Sequence, residues 1–388
     1  MHWSLLLLLA VGLFPGVSCL GLELREKRQA LQNTNKWDNN TLNFYFADDF
    51  PNIFEQMFIE AMEYIEQHTC VKFTKDDYQQ EDYKVRIQYN KRKDKCMASF
   101  GQRNSNLYFG YNCGAWGVAV HELMHALGIA HAQARSDRDD YLVVDSDDYN
   151  DEIENTWNPV PFDYGSVMLY ERNDNRYPKD PEYNYTMGNL RVAFYDMQLL
   201  NIVYNCSCPG KPLECQNGGY QNPSNCDSCL CTDGFKGKLC DEYDGIVLEA
   251  EEEWKSQQCL WARRRGIDRK TKADDTVFVI TAPPGATIEA QITKLSGFFC
   301  QNTCDYNGVE IKYKEDRRIV SPLVCCDNDN LWNKTRSTTN NPLVIVKYGN
   351  NRGPKLEFRY RYVAGKGNTT IAAGASDKKV LKNKIDQK

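Results

Sequence analysis

His121-Glu122-Leu123-Met124-His125-Ala126-Leu127-Gly128-Ile129-Ala130-His131 is the stretch that decides how the rest of this chain is read. On a helix, His121 and His125 lie one turn apart on a shared face, so both imidazoles can point at one cation. Gly128 tolerates positive φ and can end that helix sharply, and the turn can swing His131 back as a third ligand. Three protein ligands leave a position open for water, the pattern of a catalytic zinc rather than a structural one. Glu122 follows the first ligand and can stand beside the metal without binding it, where a general base must be. Val118-Ala119-Val120 and Leu127 argue that the helix is buried, and a buried histidine cluster without a metal would be costly. H-E-x-x-H alone can arise by chance on a solvated helix; the third histidine at the full spacing outweighs that reading. His68 falls outside the pattern and reads as structural.

Around this core, Phe54 to Gln67 repeats apolar residues at helical spacing, Lys84 to Tyr89 alternates as a strand does, and Gly114 to Ile129 reads as a second, mostly buried helix. The whole chain has 388 residues, too many for one ordinary core, so two or three domains are expected. Hydrophobic residues make up 41% and charged residues 26%, a globular balance, and a net charge of −6 gives no reason to expect nucleic acid as a partner. Sixteen cysteines imply an oxidising compartment and a disulfide framework. Leu5 to Phe14 is an apolar run too short to span a bilayer, and Val17-Ser18-Cys19 suits cleavage, so residues 1–19 read as a signal peptide. Arg25-Glu26-Lys27-Arg28 suits a processing protease; residues 20–28 would then be a short propeptide and Gln29 the mature start. A solvated charge cluster is the competing reading. No later segment is long and apolar enough to cross a membrane, so a secreted, extracellular product is expected.

Residues 207–241 hold Cys208, Cys215, Cys226, Cys229, Cys231 and Cys240 in one short, Gly- and Asn-rich stretch that needs staples. Cys226-x-x-Cys229 alone could bind zinc or run redox chemistry, but six cysteines at this density favour disulfides. Residues 242–365 alternate apolar and polar, as in Val277-Val279 and Leu356-Phe358-Tyr360, and include the apolar run Leu343 to Val346. Turns at Pro283-Pro284-Gly285 and Tyr348-Gly349-Asn350 complete the pattern of a β-sandwich. Residues 366–388 are Lys-rich with few large apolar groups and read as a basic, disordered tail.

The eleven-residue motif, followed by Tyr164-Gly165-Ser166-Val167-Met168-Leu169-Tyr170, resembles the metzincin signature with its Met-turn. Arg135-Ser136-Asp137-Arg138-Asp139 narrows the likeness to the astacins, and the layout of peptidase, growth-factor (EGF)-like and CUB-like modules resembles the secreted astacins of nematodes. The resemblance implies an α+β metzincin-type peptidase domain over 29–206, a disulfide-rich EGF-like module over 207–241 and an all-β CUB-like domain over 242–365. It implies one Zn2+ per subunit on His121, His125 and His131, Glu122 as base, Met168 as an apolar floor beneath the metal, and Tyr170 as an extra ligand that swings away during reaction. It also implies the pairs Cys70–Cys206, Cys96–Cys113, Cys208–Cys226, Cys215–Cys229 and Cys231–Cys240. Gln216-Asn217-Gly218-Gly219-Tyr220 and Asp233-Gly234-Phe235-Lys236-Gly237 match the growth-factor pattern; no acidic cluster precedes Cys208, so no calcium is expected there. A family taste for acidic residues after the cut would need a basic pocket, for which Arg172 and Arg176 are candidates, with solvated surface arginines as the competing reading. Three departures stand out: Ala132 where astacins usually have Glu, Leu169 where they often have His, and no aspartate motif in the short segment after the signal peptide.

Five cysteines in the last domain, Cys259, Cys300, Cys304, Cys325 and Cys326, cannot all pair internally. Cys300 and Cys304 are expected to bond with Cys325 and Cys326 in an arrangement the sequence leaves open. Val277 is the position where relatives would carry a cysteine, leaving one thiol free or intermolecular. Asn39, Asn184, Asn333 and Asn368 head glycosylation sequons, and Asn205 heads one beside a bridged cysteine. The expected activity is zinc-dependent hydrolysis of peptide bonds in extracellular proteins, with further extracellular partners held through the EGF-like and CUB-like modules. The alternative is a zinc-containing but inert adhesion protein, and a growth-factor ligand would rest on the small module alone.

Overall fold

Phe54, Phe58, Ala61, Met62 and Ile65 form the buried stripe of α1 (Asn52–His68) in the computed structural model of the chain, at the three- and four-residue spacing a helix needs to bury one face. The structure describes residues 28–31, 36–76, 83–91, 95–99, 104–145, 156–259, 275–326, 332–349 and 355–364. The expected signal peptide, most of the expected propeptide and the basic tail lie outside the described residues.

The N-terminal part begins with β1 (Arg28–Leu31) and a five-stranded sheet of β2 (Thr41–Phe46), β3 (Lys72–Lys75), β4 (Val85–Asn90), β5 (Met97–Ala98) and β6 (Ser105–Gly110). Its spatial order is β3-β2-β4-β6-β5, parallel except for β5 at the edge. Leu42, Phe44, Val85, Ile87, Leu107 and Phe109 share one core with α1 and with α2 (Trp116–Ala126). Further on, β7 (Leu142–Val144), β8 (Thr156–Trp157) and β9 (Arg176–Pro178) make two small ribbons, β7 with β9 and β1 with β8. α3 (Phe194–Val203) closes this part. Cys70 is joined to Cys206 and Cys96 to Cys113, with Cα atoms 5.4 and 6.2 Å apart.

The next stretch has almost no regular structure. β10 (Tyr220–Gln221) pairs with β11 (Cys229–Leu230), and β12 (Phe235–Lys236) with β13 (Glu242–Tyr243). Three disulfides, Cys208–Cys226, Cys215–Cys229 and Cys231–Cys240, supply the cohesion a core would otherwise give.

The C-terminal region is all β. Its strands are β14 (Ile246–Glu249), β15 (Lys255–Cys259), β16 (Thr276–Thr281), β17 (Thr287–Ser296), β18 (Gly308–Lys312), β19 (Leu323–Val324), β20 (Arg336–Thr338), β21 (Leu343–Tyr348) and β22 (Lys355–Val363). They form two sheets, β14-β16-β21-β18-β19 and β15-β22-β17-β20. Alternation sends Phe278, Ile280, Ile288, Ile345 and Phe358 into one core. Cys300 is bonded to Cys326 and Cys304 to Cys325, which resolves the arrangement the sequence left open. Cys259 is the free cysteine among the described residues and is buried in the sandwich core. Next to inward-facing Phe278, Val277 packs against the cluster that includes Phe235 of the small region, on the face opposite the core that holds Cys259. A one-residue step on a strand reverses the face.

The β region docks on the N-terminal part. Asp163 accepts a hydrogen bond from the Val320 backbone N–H at 3.3 Å, and Thr186 Oγ1 accepts one from Leu323 N–H at 2.9 Å. Arg336 donates to both carboxylate oxygens of Glu182 at 2.8 Å, and Arg191 pairs with Asp275 at 2.7 Å. A Cβ on Gly165 would collide with the Val320 side chain, so glycine permits this close approach.

Candidate active site

α2 presents the first two histidines. His121 and His125 are both buried, and their rings lie 4.5 Å apart between centroids. The helix ends at Leu127, and Gly128 follows at φ +90°, a left-handed conformation that glycine takes at little cost. The chain then doubles back and brings buried His131 to the pair, its ring centroid 4.5 Å from that of His125. The ligand nitrogens of all three rings lie within 4.8 Å of one another.

Hydrogen bonds fix which nitrogen faces the centre. His121 Nδ1 is 2.8 Å from the Val167 carbonyl oxygen and His125 Nδ1 is 2.7 Å from that of Ile129. A carbonyl can only accept, so each Nδ1 carries the proton and each Nε2 is left with its lone pair. Nε2 of His125 and Nε2 of His131 approach to 2.9 Å. Burial lowers the His121 pKa to about 4, and holds His125 and His131 well below the usual imidazole range, with mutual repulsion as a further cause. The rings are therefore neutral, the form that ligates a metal. Three neutral nitrogen donors, two of them with the second nitrogen oriented by a backbone carbonyl, fit a divalent zinc.

Glu122 is buried beside them, and its Oε2 has no hydrogen-bond partner. Burial pushes its carboxyl up to about 8; a cation held by the imidazoles would offset that shift by attraction. His121, Glu122 and Tyr170 line a cavity of about 930 Å3. The Tyr170 ring centroid is 4.3 Å from that of His131 and 6.0 Å from that of His121. Met168 is fully buried in the core shared with Leu123 and Met124.

The two arginine candidates separate. Arg176 is buried, lines the cavity and lies over the Tyr170 ring at 5.3 Å. Arg172 instead lies over Tyr185 at 5.7 Å and is not among the cavity's lining residues. Ala132 and Leu169, the two residues that depart from the astacin pattern, are both buried in one apolar cluster with Leu142, Phe162 and Met187. His68 stacks on Tyr64 at 4.1 Å, away from the three ligands. Asn39 and Asn333 are exposed. Asn184 is half-buried, and the threonine of its sequon, Thr186, is fully buried. Asn368 lies outside the described residues.

Two supporting residues escaped the sequence reading. Asp196, buried on α3, accepts from Ser166 Oγ at 2.6 Å, from Val167 N–H at 3.0 Å and from Ala193 N–H at 2.8 Å. Asp163 accepts from Gly165 N–H at 2.9 Å. Together they hold the segment whose Val167 carbonyl orients His121. An acidic residue at the third position of a helix is a common local feature, so no sequence signal singled out Asp196 as an anchor for a loop 29 residues earlier.

Residues 29–205 match the family model described as Astacin, a peptidase family. The chain is 57% identical over 357 residues to the Caenorhabditis elegans protein titled Zinc metalloproteinase nas-20, covering 90% of this chain and 92% of that one. It is 38% identical over 361 residues to Zinc metalloproteinase nas-17 of the same organism, covering 88% of this chain and 82% of that one. Among solved structures, High choriolytic enzyme 1, a hatching enzyme zinc-protease from Oryzias latipes, is 25% identical with a TM-score of 0.40, over 45% of this chain and 94% of that one.

Proposed function

The chain belongs to the astacin family of zinc metalloendopeptidases, and from that footing we propose that it is secreted and cuts extracellular proteins with Glu122 as its general base. The observation that carries this is the convergence of three ligand nitrogens within 4.8 Å, with the partnerless Glu122 Oε2 beside them. His121, His125 and His131 would hold the ion. Zinc, when bound, supplies a Lewis acid that polarises the scissile carbonyl and acidifies water.

Glu122 takes a proton from the water whose oxygen attacks the scissile carbon. As the carbon–nitrogen bond breaks, Glu122 delivers that proton to the departing amine. The Tyr170 hydroxyl donates to the oxygen on which charge develops. Met168 packs beneath the ligands and keeps their helix in place. Arg176, at the cavity wall, supplies the positive charge for an acidic side chain next to the cut.

Seven disulfides among the described residues support an oxidising, extracellular setting. No helix among those residues is long and apolar enough to cross a membrane. The stapled stretch 207–241 is read as EGF-like and the two-sheet region 242–365 as CUB-like. Residues 1–19 are read as a signal peptide and 20–28 as a propeptide. The exposed Asn39 and Asn333 are the favoured glycan sites, ahead of half-buried Asn184.

The test is cleavage of a casein-like substrate by the purified mature chain. A chelator should abolish cleavage, and Glu122→Gln should keep its zinc while losing about 10²–10⁴-fold in turnover. Near-parental rates in zinc-loaded Glu122→Gln would overturn the assignment of the base.

A further inference from the structure

The cavity lined by His121 and Glu122 is not walled by the peptidase part alone. Thr303, Asp305 and Tyr306, from the segment between β17 and β18, line it together with His121 and Glu122. A second cavity of about 630 Å3 lies next to it, with walls from Trp116, Phe194, Tyr220 and Leu230. Its volume falls in the range of ordinary ligand sites. Ala115, Leu190, Asp305 and Tyr306 border both cavities, so the two adjoin across a shared rim. The peptidase part, the small stapled region and the β region each contribute to the second one.

The shared rim is held firmly. Cys300–Cys326 and Cys304–Cys325 tie down the segment that bears Tyr306. Cys304 N–H donates to the Tyr185 carbonyl at 2.9 Å, which anchors the segment on the peptidase part. Tyr348 O–H donates to the Cys304 carbonyl at 2.6 Å from within the β region. Tyr306 itself stays more than a third exposed, and its ring meets that of Phe299 at 5.5 Å.

α2 sets the scale. Its start, Ala115 to Gly117, borders the second cavity, and His121 and Glu122 border the first. Six residues of helix rise about 9 Å, which an extended polypeptide covers in about three residues. A substrate lying along α2 would therefore reach the second cavity within its own length of a few residues.

We propose that the two cavities form one substrate groove, and that the second is a subsite for a bulky apolar or aromatic side chain about three to five residues from the scissile bond. This rests on the reading of the first cavity as the peptidase cleft. The occupant is the substrate polypeptide itself, because the subsite adjoins, across a shared rim, the cleft that would hold the scissile bond. Most wall residues are aromatic or aliphatic, with Gln67, His68, Arg191, Lys236 and Asp305 among them, so the binding energy comes mainly from apolar burial.

The experiment uses two fluorogenic peptides with identical residues around the cut. Both extend six residues to each side. One carries tryptophan at the third to fifth positions from the cut, and the other carries serine there. The parent chain should bind and cleave the tryptophan peptide with about tenfold lower KM and similar kcat, as burial of one large apolar side chain implies. Leu230→Trp, which fills the subsite, and Tyr306→Ala, which removes its rim, should each bring the ratio of the two KM values towards one. Anisotropy of the same peptides on zinc-loaded Glu122→Gln reads the preference without turnover. A tryptophan preference in binding upholds the groove even if cleavage fails, which would count against the peptidase reading only. Equal affinity for the two peptides, or a preference that survives both variants, overturns the proposal.

Discussion

His121 Nδ1 donates to the Val167 carbonyl at 2.8 Å, so the orientation of the first candidate ligand is set by a residue 46 positions later. Val167 is itself held, because its N–H donates to Asp196 at 3.0 Å. Asp196 also accepts from Ser166 Oγ and from Ala193 N–H. A carboxylate on α3 thus fixes a loop, and the loop fixes an imidazole. Losing an oriented outer hydrogen bond of this kind typically costs about 10–100-fold in metal affinity.

Asp196→Ala is expected to loosen that chain of contacts. The zinc affinity should fall about 10–100-fold, read by titration against a competing chelator. Parental affinity in a folded Asp196→Ala variant would mean that Val167 is positioned by packing alone.

His125→Ala removes a donor whose Nδ1 is already committed to Ile129. Bound zinc should drop from about one per chain towards none, with cleavage lost in parallel. Metal analysis of the gel-filtered variant checks this. A full complement of zinc would place the metal elsewhere.

Tyr170→Phe keeps the ring, which lies tilted against His131, and deletes only the hydroxyl. Turnover should fall about 10²-fold, the usual cost of one lost oxyanion donor, with little loss of metal. Steady-state kinetics beside zinc content separates the two roles; loss of zinc would make Tyr170 structural instead.

Asp163 gives a pH dependence to stability. Burial raises its pKa to about 7, from an ordinary value of 3.8. Between those values the folded chain holds a proton that the unfolded chain has released. The contribution is therefore full below about pH 4 and is lost as pH rises towards 7, by on the order of 4 kcal/mol at most. Asp163→Asn has no such proton, and its amide oxygen can still accept from Gly165 and Val320. Thermal melts from pH 4 to 7 should fall less steeply in the variant than in the parent. Identical slopes would show that Asp163 titrates near its ordinary value.

Much of this was legible because it is local. α2 and its break at Gly128 follow from burial pattern and glycine chemistry within eleven residues, and the helix found, Trp116–Ala126, lies inside the span the sequence suggested. The β-sandwich followed from alternation over short strands. Which face Val277 takes was not legible, because it depends on register and one residue reverses it. Ala132 and Leu169 read as two separate departures in sequence. In space they fill one apolar cluster, where polar side chains would need partners that this cluster's apolar residues do not provide.

The sequence by itself determined the candidate ligand set, the carboxylate beside it and the stapled, strand-rich character of the C-terminal half, because helical pitch, glycine conformation and side-chain chemistry act over a few residues. Tertiary structure alone decided which carbonyls orient the imidazoles, that Asp163 and Asp196 brace the Met168 loop, and that Tyr306 reaches the cleft. Those relationships join residues up to about 185 positions apart, and only packing of whole elements against one another can bring such residues into contact.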